Sequence, residues 1–406
     1  MVLIFAVNQI FSIVCAAVAV VAATTLACIY LPMLRRLRRA LHGASDEGIA
    51  SGKQTMPVSV VVYTYANSAG LAEVIEGLKS QDYDAPTEII VVNDGKDNGV
   101  NDFLTVAEMS CPNLRGTFTP HDTRNISRKK LAITLGIKAA RYPVVLLLTS
   151  ESRLPGPHWL ASMAAPFGDD RVDMVLGYAG PGEKDVAHGL IGRGLRHDIL
   201  LSDIEWMSDA IGGCPWRGDG DNIGIRRSMF FERMGFGNSL NLQYGDDDVF
   251  VSEVATGDNV AAVFTAQSRV TTEAPADMPK YYLAKRERHA MMNAYCTRRP
   301  SMRIILSSVL PWVWLLSTLA ACVPALWNIR KDFTVEDMIV TYSMLGILMV
   351  TAVAVWLLFG VAFNKVSISL ADRPLRWSVP HMLLSRLLRC RGWRRHKAPR
   401  SWQQPR

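Results

Sequence analysis

Pro57-Val58-Ser59-Val60-Val61-Val62-Tyr63 decides the fold. It is a short β-branched run, the composition of a strand covered on both faces. Leu71 to Leu78 follows with helical spacing, and Glu88-Ile89-Ile90-Val91-Val92 is a second buried run that ends in Asn93-Asp94-Gly95. Leu114 to Thr119 predicts a third strand and Ile126 to Ala140 a helix, after which Pro143 opens the strand Val144–Leu148. Strand and helix in alternation specify an open α/β fold with a mostly parallel sheet. In such sheets ligands bind beyond the carboxyl ends of the strands. Here those ends are Tyr63-Thr64-Tyr65, Asp94-Gly95 and Thr149-Ser150-Glu151-Ser152-Arg153. Each alone also reads as an ordinary turn.

Outside this region the chain becomes apolar. Of 406 residues 49% are hydrophobic and only 20% charged, with the excess in three blocks, Met1–Leu34, Ile304–Trp327 and Met338–Phe363. Each reaches the ~20 residues that cross a bilayer. The first is too long for a cleavable signal, and its basic residues follow the apolar run instead of preceding it. The expected organisation is an N-terminal transmembrane helix over 1–34 and a basic juxtamembrane segment and linker over 35–56. A cytoplasmic domain over 57–295 follows, then an interfacial segment with two transmembrane helices over 296–363 (about 304–327 and 338–363), and a basic tail over 364–406. Arg35–Arg39, the Arg298/Arg299/Arg303 group and the tail put positive charge on one side, which orients the domain to the cytoplasm. The net charge of +7 then faces anionic membrane lipid. No stacking motif accompanies it, so nucleic acid is not expected as a partner. Seven cysteines and eight histidines show no metal spacing, and the cysteines read as small buried hydrophobes.

The chemistry concentrates in Tyr244-Gly245-Asp246-Asp247-Asp248-Val249-Phe250. Three adjacent carboxylates repel one another, and the first turn of a helix tolerates them. Such crowding raises the proton affinity of at least one, as a general base near neutral pH requires. An acidic helix start on a solvated face is the plain alternative, and capping is the plain role for Asp248. Gly218-Asp219-Gly220-Asp221-Asn222-Ile223-Gly224 has the glycines of a phosphate loop without its Lys-Ser/Thr end. It is expected to shape an acceptor pocket with Trp216, Arg226 and Arg227, although Trp216 reads equally well as core.

Together these pieces resemble glycosyltransferase family 2, the inverting nucleotide-sugar transferases with the A-type fold. Pro57–Val62 resembles the family's first strand, and Ile90–Gly95 its second. Lys129–Ile137 is similar to its basic helix, Leu148–Pro155 falls where Asp-x-Asp lies, and Gly245-Asp246-Asp247 stands for Gly-Glu-Asp. Lys285-Arg286-Glu287-Arg288-His289 sits where a Gln-x-x-Arg-Trp motif would be. The resemblance implies Asp247 as catalytic base, with Asp246 and Asp248 beside it. Tyr63, Tyr65, Asp94, Lys129, Ser150 and Ser152 would hold the donor nucleotide. Arg288, His289 and Trp216 would serve acceptor or diphosphate. It also implies a divalent metal, Mg2+ or Mn2+, yet Ser150-Glu151-Ser152 lacks both aspartates that such hard ions favour. Either Glu151 takes over as metal ligand, or Lys129, Arg153 and Arg288 offset the diphosphate charge directly.

The partners so implied are a nucleotide-sugar donor, a saccharide or lipid-linked acceptor and the lipids of a bacterial inner membrane. Loss of all but Arg288 from the Gln-x-x-Arg-Trp position favours transfer of one sugar over processive synthesis. The rival reading is a catalytically inactive relative, a membrane binding or scaffold protein, and the two serines are its support. Against it stands the intact acid run.

Overall fold

The computed structural model describes residues 2–42, 56–95, 98–120, 126–182, 189–273, 277–297, 300–328, 335–371, 383–385 and 387. Most of the expected linker (43–55), Arg298, Arg299, the loop 329–334 and nearly all of the basic tail lie outside the described residues. The chain divides into two units. One comprises Met1–Arg35, His188–Leu200 and Pro300–Arg391, and the other Arg36–Ala187, Leu201–Arg299 and Gly392–Arg406.

The larger unit is built on a seven-stranded sheet. Its strands are β1 (Val58–Thr64), β2 (Thr87–Asn93), β3 (Leu114–Phe118), β4 (Val144–Thr149), β6 (Met174–Leu176), β8 (Ile223–Arg226) and β9 (Val260–Ala262), in the order β3-β2-β1-β4-β8-β6-β9. The run β3-β2-β1-β4 is parallel throughout, and β8 is antiparallel to both of its neighbours. A small second sheet joins β5 (Ser152–Arg153), β10 (Val270–Thr272) and β7 (Ala179–Pro181) in the order β5-β10-β7.

The apolar runs of the sequence form the centre of this unit. Val58, Val60, Val62, Val91, Val144 and Leu146 are at most 1% exposed. Burial of each such side chain contributes about 1.5–3 kcal/mol. The Ser68–Lys79 helix buries Leu71, Val74, Ile75 and Leu78 in this core, one face at 3.6-residue spacing. Its N-cap Asn67 accepts from the Gly70 N–H at 2.9 Å. The Arg128–Ala139 helix starts at its N-cap Ser127. It lies close on β1 because position 136 is glycine, where a Cβ would overlap the Val61 side chain.

The smaller unit contains helices that are long and apolar enough to cross a membrane. Three such segments are present, within Val7–His42, Ser301–Val323 and Met338–Leu370. The first helix, Val2–His42, differs from the expected boundary at Leu34 because it continues through Arg35–Arg39. Arg, Leu and Ala are all strong helix formers, and no Gly or Pro intervenes after Pro32 to stop it. Within this unit Tyr30 packs edge-on against Phe359 and Phe363 at 5.3 and 5.4 Å between ring centroids. Phe359 belongs to a π-helical stretch, Leu357–Ala362.

Candidate active site

Beyond the carboxyl ends of β1 and β4 lies a cavity of about 730 Å³. β1 contributes Tyr63, and the turn after β4 contributes Glu151. The Arg128–Ala139 helix contributes Lys129, and the glycine loop before β8 contributes Asp219, Gly220 and Asp221. Asp246, Asp247 and Asp248 form one wall. Facing residues come from the Met278–Met292 helix, among them Tyr281, Lys285, Arg288 and His289.

The acid run enters a short helix, Asp248–Val254. Gly245 precedes it at φ +99°, where a Cβ would also lie 2.7 Å from the Val249 side chain. Glycine therefore permits the turn that brings the aspartates to the cavity. Asp247 caps the helix, its Oδ1 accepting from the Asp248 N–H at 2.8 Å. Asp246 Oδ2 lies 2.8 Å from Lys129 Nζ, and the same ammonium is 3.5 Å from Asp221 Oδ1. Asp248 is 2% exposed, accepts from the Val249 N–H at 2.9 Å and lies 3.7 Å from Arg217 Nη2.

These surroundings separate the three carboxyls. Burial works to raise Asp246, but Lys129, through charge and hydrogen bond, and Lys130 bring it below the ordinary carboxylate value. Burial and the Asp246 charge raise Asp247 against the pull of Lys129, Arg217 and Arg288. Burial and Asp247 push Asp248 to about 7. Asp219 reaches about 7 as well, through burial opposed by Lys285 and reinforced by Asp221. The resulting wall holds one fixed carboxylate, Asp246, beside a proton acceptor of raised basicity, Asp247. That combination sets a carboxyl of raised proton affinity where it can accept a proton from a hydroxyl.

Two neighbouring groups have definite states. Burial, followed by Arg217, holds His289 well below its ordinary value. The imidazole is thus neutral, and its Nδ1 accepts from Arg217 Nη1 at 3.3 Å. Burial works against the Lys285 charge, but Asp203 and neighbouring groups raise it above the usual lysine value. Arg288 lies over the Tyr244 ring at 5.9 Å. Among the described residues no carboxylate is within ion-pair distance of Arg288.

Several residues expected in the site lie elsewhere. Trp216 is a correction: it is 1% exposed, donates to Asp209 Oδ2 at 2.8 Å and belongs to the core. Arg226 donates to the carbonyls of Phe167 and Val172, and Arg227 to that of Ile137, so neither shapes the pocket. Tyr65 is 56% exposed and does not line the cavity. Asp94 is buried, and its carboxylate oxygens are taken by Tyr63 Oη at 3.1 Å, Thr119 Oγ1 and Arg128 at 2.7 Å. It thereby orients Tyr63. Arg153 pairs with Glu73, and with Glu273 at 3.6 Å. The Met278–Met292 helix belongs to the larger unit and buries Tyr282, Arg286 and His289.

The metal expectation is tested by the donor set. Ser152 is fully buried, with its Oγ 3.1 Å from the Thr149 N–H, and Ser150 is 3% exposed. Neither lines the cavity, which leaves Glu151 as the lone carboxylate of the strand end. Enclosure in the cavity and the nearby Asp221 raise the Glu151 carboxyl. Among the described residues no three His, Cys, Asp or Glu side chains are grouped to hold an ion. The residues present do not fit a Mg2+ or Mn2+ site of the Asp-x-Asp kind, which draws on several oxygens at once. Sequence reasoning passed over Arg217 and Tyr281 as site residues and reached Asp219 only within the Gly218–Gly224 segment expected to shape the pocket. Only the glycine pattern around Asp219 carried a signal.

The mostly parallel α/β sheet, with its cavity beyond the strand ends, is an A-type fold of the kind nucleotide-sugar transferases use. Residues 59–189 match the family model described as Glycosyl transferase family 2, a domain of transferases. Among solved structures, a mannosyltransferase from Pyrobaculum calidifontis in complex with GDP-Man and Mn2+ is similar at TM-score 0.53 and 15% identity, covering 94% of this chain and 100% of that one. S. aureus TarS is similar at TM-score 0.39 and 14% identity, over 77% of this chain and 52% of that one. No curated protein matches the sequence.

Proposed function

We propose that this protein is a membrane-bound inverting glycosyltransferase. It moves one sugar from a nucleotide-sugar donor to a lipid-linked saccharide in cell-surface polysaccharide or glycolipid synthesis. Its place is a bacterial inner membrane, with the catalytic domain on the cytoplasmic side. The observation that carries this reading is Asp247, a carboxyl of raised basicity on the wall of a cavity at the sheet's carboxyl end.

The acceptor hydroxyl gives its proton to Asp247 as its oxygen attacks the anomeric carbon, and the nucleoside diphosphate leaves from the opposite face. The configuration inverts. General-base assistance of this kind contributes about 10²–10⁴ in rate. The charge that develops on the diphosphate is offset by Arg288, a cavity cation with no carboxylate partner among the described residues. Tyr63, held by Asp94, offers a ring and an oriented hydroxyl at the nucleotide end. No step is routed through a metal. The three apolar helices keep the domain where lipid-linked sugars are found.

The test is a screen of nucleotide sugars with the full-length protein, read as released nucleoside diphosphate, with Mn2+ and with chelator. Release that survives chelation is the expected outcome. No release with any donor would leave the binding-protein reading, and release abolished by chelator would restore a metal to Glu151.

A further inference from the structure

The glycine loop Gly218–Gly224 has no role in the mechanism above, yet it touches the acid run at several points. The Gly218 N–H donates to the Asp247 carbonyl at 3.3 Å. A Cβ at Gly220 would lie 2.9 Å from Asp246 Oδ2 and 3.3 Å from Asp247 Cβ, so the loop backbone passes close against the acid run. Asp221 on the loop and Asp246 on the run share one cation, Lys129 Nζ, at 3.5 and 2.8 Å. That lysine is itself well fixed. Ser127 caps its helix, Lys130 Nζ next to it donates to the Ser239 carbonyl at 2.6 Å, and Gly136 seats the helix on β1.

We propose that Lys129 is a positioning residue for the base: its ammonium bridges Asp221 and Asp246, locks the glycine loop against the acid run and keeps Asp246 ionised beside Asp247. The proposal rests on the glycosyltransferase reading and goes beyond it. It moves Lys129 from the donor's phosphates to the geometry of the acids, and it explains why Asp247 and not Asp246 takes the proton. A carboxylate held at 2.8 Å by an ammonium is a poor proton acceptor. The charged groups that face this pair are Lys129 and Lys130 from the Arg128–Ala139 helix, Arg217, Asp219 and Asp221 around the glycine loop, Arg288 from the Met278–Met292 helix, and Asp248 alongside. Lys129 is the one among them that contacts both the loop and the run.

The test uses full-length protein and compares wild type, Lys129→Met, Lys129→Arg and Asp246→Asn. Turnover is followed against pH at saturating donor, and donor affinity is measured separately by calorimetry. Without the ammonium the carboxyl pair takes up its proton at higher pH. The acidic limb of kcat in Lys129→Met therefore moves up by about 1–3 pH units. Donor affinity stays within about threefold, since a group acting on the base alone changes kcat and leaves binding in place. Lys129→Arg restores the limb. Asp246→Asn removes the neighbouring negative charge and moves the limb the other way.

An unmoved limb in Lys129→Met with donor affinity weakened tenfold or more would make Lys129 a diphosphate ligand and overturn the proposal. Should Lys129→Met not fold, Asp246→Asn decides: a limb moved to lower pH supports the proposal, and loss of all turnover makes Asp246 the base and overturns it. A wild type that turns over no donor removes the glycosyltransferase reading, and this role with it, whereas an active wild type beside an unmoved limb removes this role alone.

Discussion

The two ends of one sheet treat carboxylates in opposite ways. At the start of β2, Glu88 is buried and accepts from Ser59 Oγ at 2.6 Å, the Arg141 N–H at 2.6 Å and Arg115 Nη2 at 2.9 Å. Every direction it presents is met by a donor. At the far end, Asp219, Asp247 and Asp248 are all raised in proton affinity by burial and by one another. Satisfied acids hold a fold together, whereas crowded acids with too few donors are poised to accept protons. The sheet separates these two uses along its own length.

The largest break in this contrast is expected at Asp247. Asp247→Asn should lower transfer by about 10²–10⁴, with donor binding nearly intact by calorimetry. An active Asn variant would take Asp247 out of its role. At the opposite end Glu88→Ala should leave kcat/KM unchanged but lower unfolding free energy by about 2–3 kcal/mol, because charged hydrogen bonds are lost and Arg115 loses its partner. A denaturant titration beside an activity assay separates the two.

A smaller effect concerns pH. The Asp219 and Asp248 carboxyls hold protons up to about 7 in the folded protein, while the unfolded chain releases them near 4. Their contribution is therefore most favourable below about 4 and is lost as pH rises through about 7. Asp248→Asn should flatten that part of the stability profile, so melting of variant and wild type should differ more at pH 8 than at pH 5. If the difference is the same at both pH values, Asp248 does not titrate in this window. The smallest change is expected from Ser152→Ala, about 0.5–1.5 kcal/mol from the lost hydrogen bond to Thr149. Its response to chelator should match that of wild type. An altered response would return the serine to a metal site.

Much of this comparison was legible in the chain. The runs that became β1, β2 and β4 are continuous and β-branched, and buried parallel strands leave little room for any other composition. Strands β6, β7, β9 and β10 are three residues each, too short to show a period. The Gly189–Ile211 helix buries Asp198, Asp203, Glu205 and Asp209, which erases the apolar stripe that announces a helix. Within the site, the acid run announced itself through charge crowding. Trp216, Arg226 and Arg227 misled because their types grip ligands and backbone carbonyls equally well, and only three-dimensional partners tell which. Asp219 and Lys285 line one cavity from separate segments, and local spacing has no way to record that.

Gly136 has a consequence reaching past its own neighbourhood. It stands two helical turns from Lys129, inside the core and away from any reacting atom. A methyl group there would collide with Val61 and lever the whole rod outward, carrying the lysine with it, and misplacements of about 1 Å are costly to enzymes. Part of this catalyst's accuracy is thus stored as an atom left out, at a position that a survey of cavity-lining residues would never inspect.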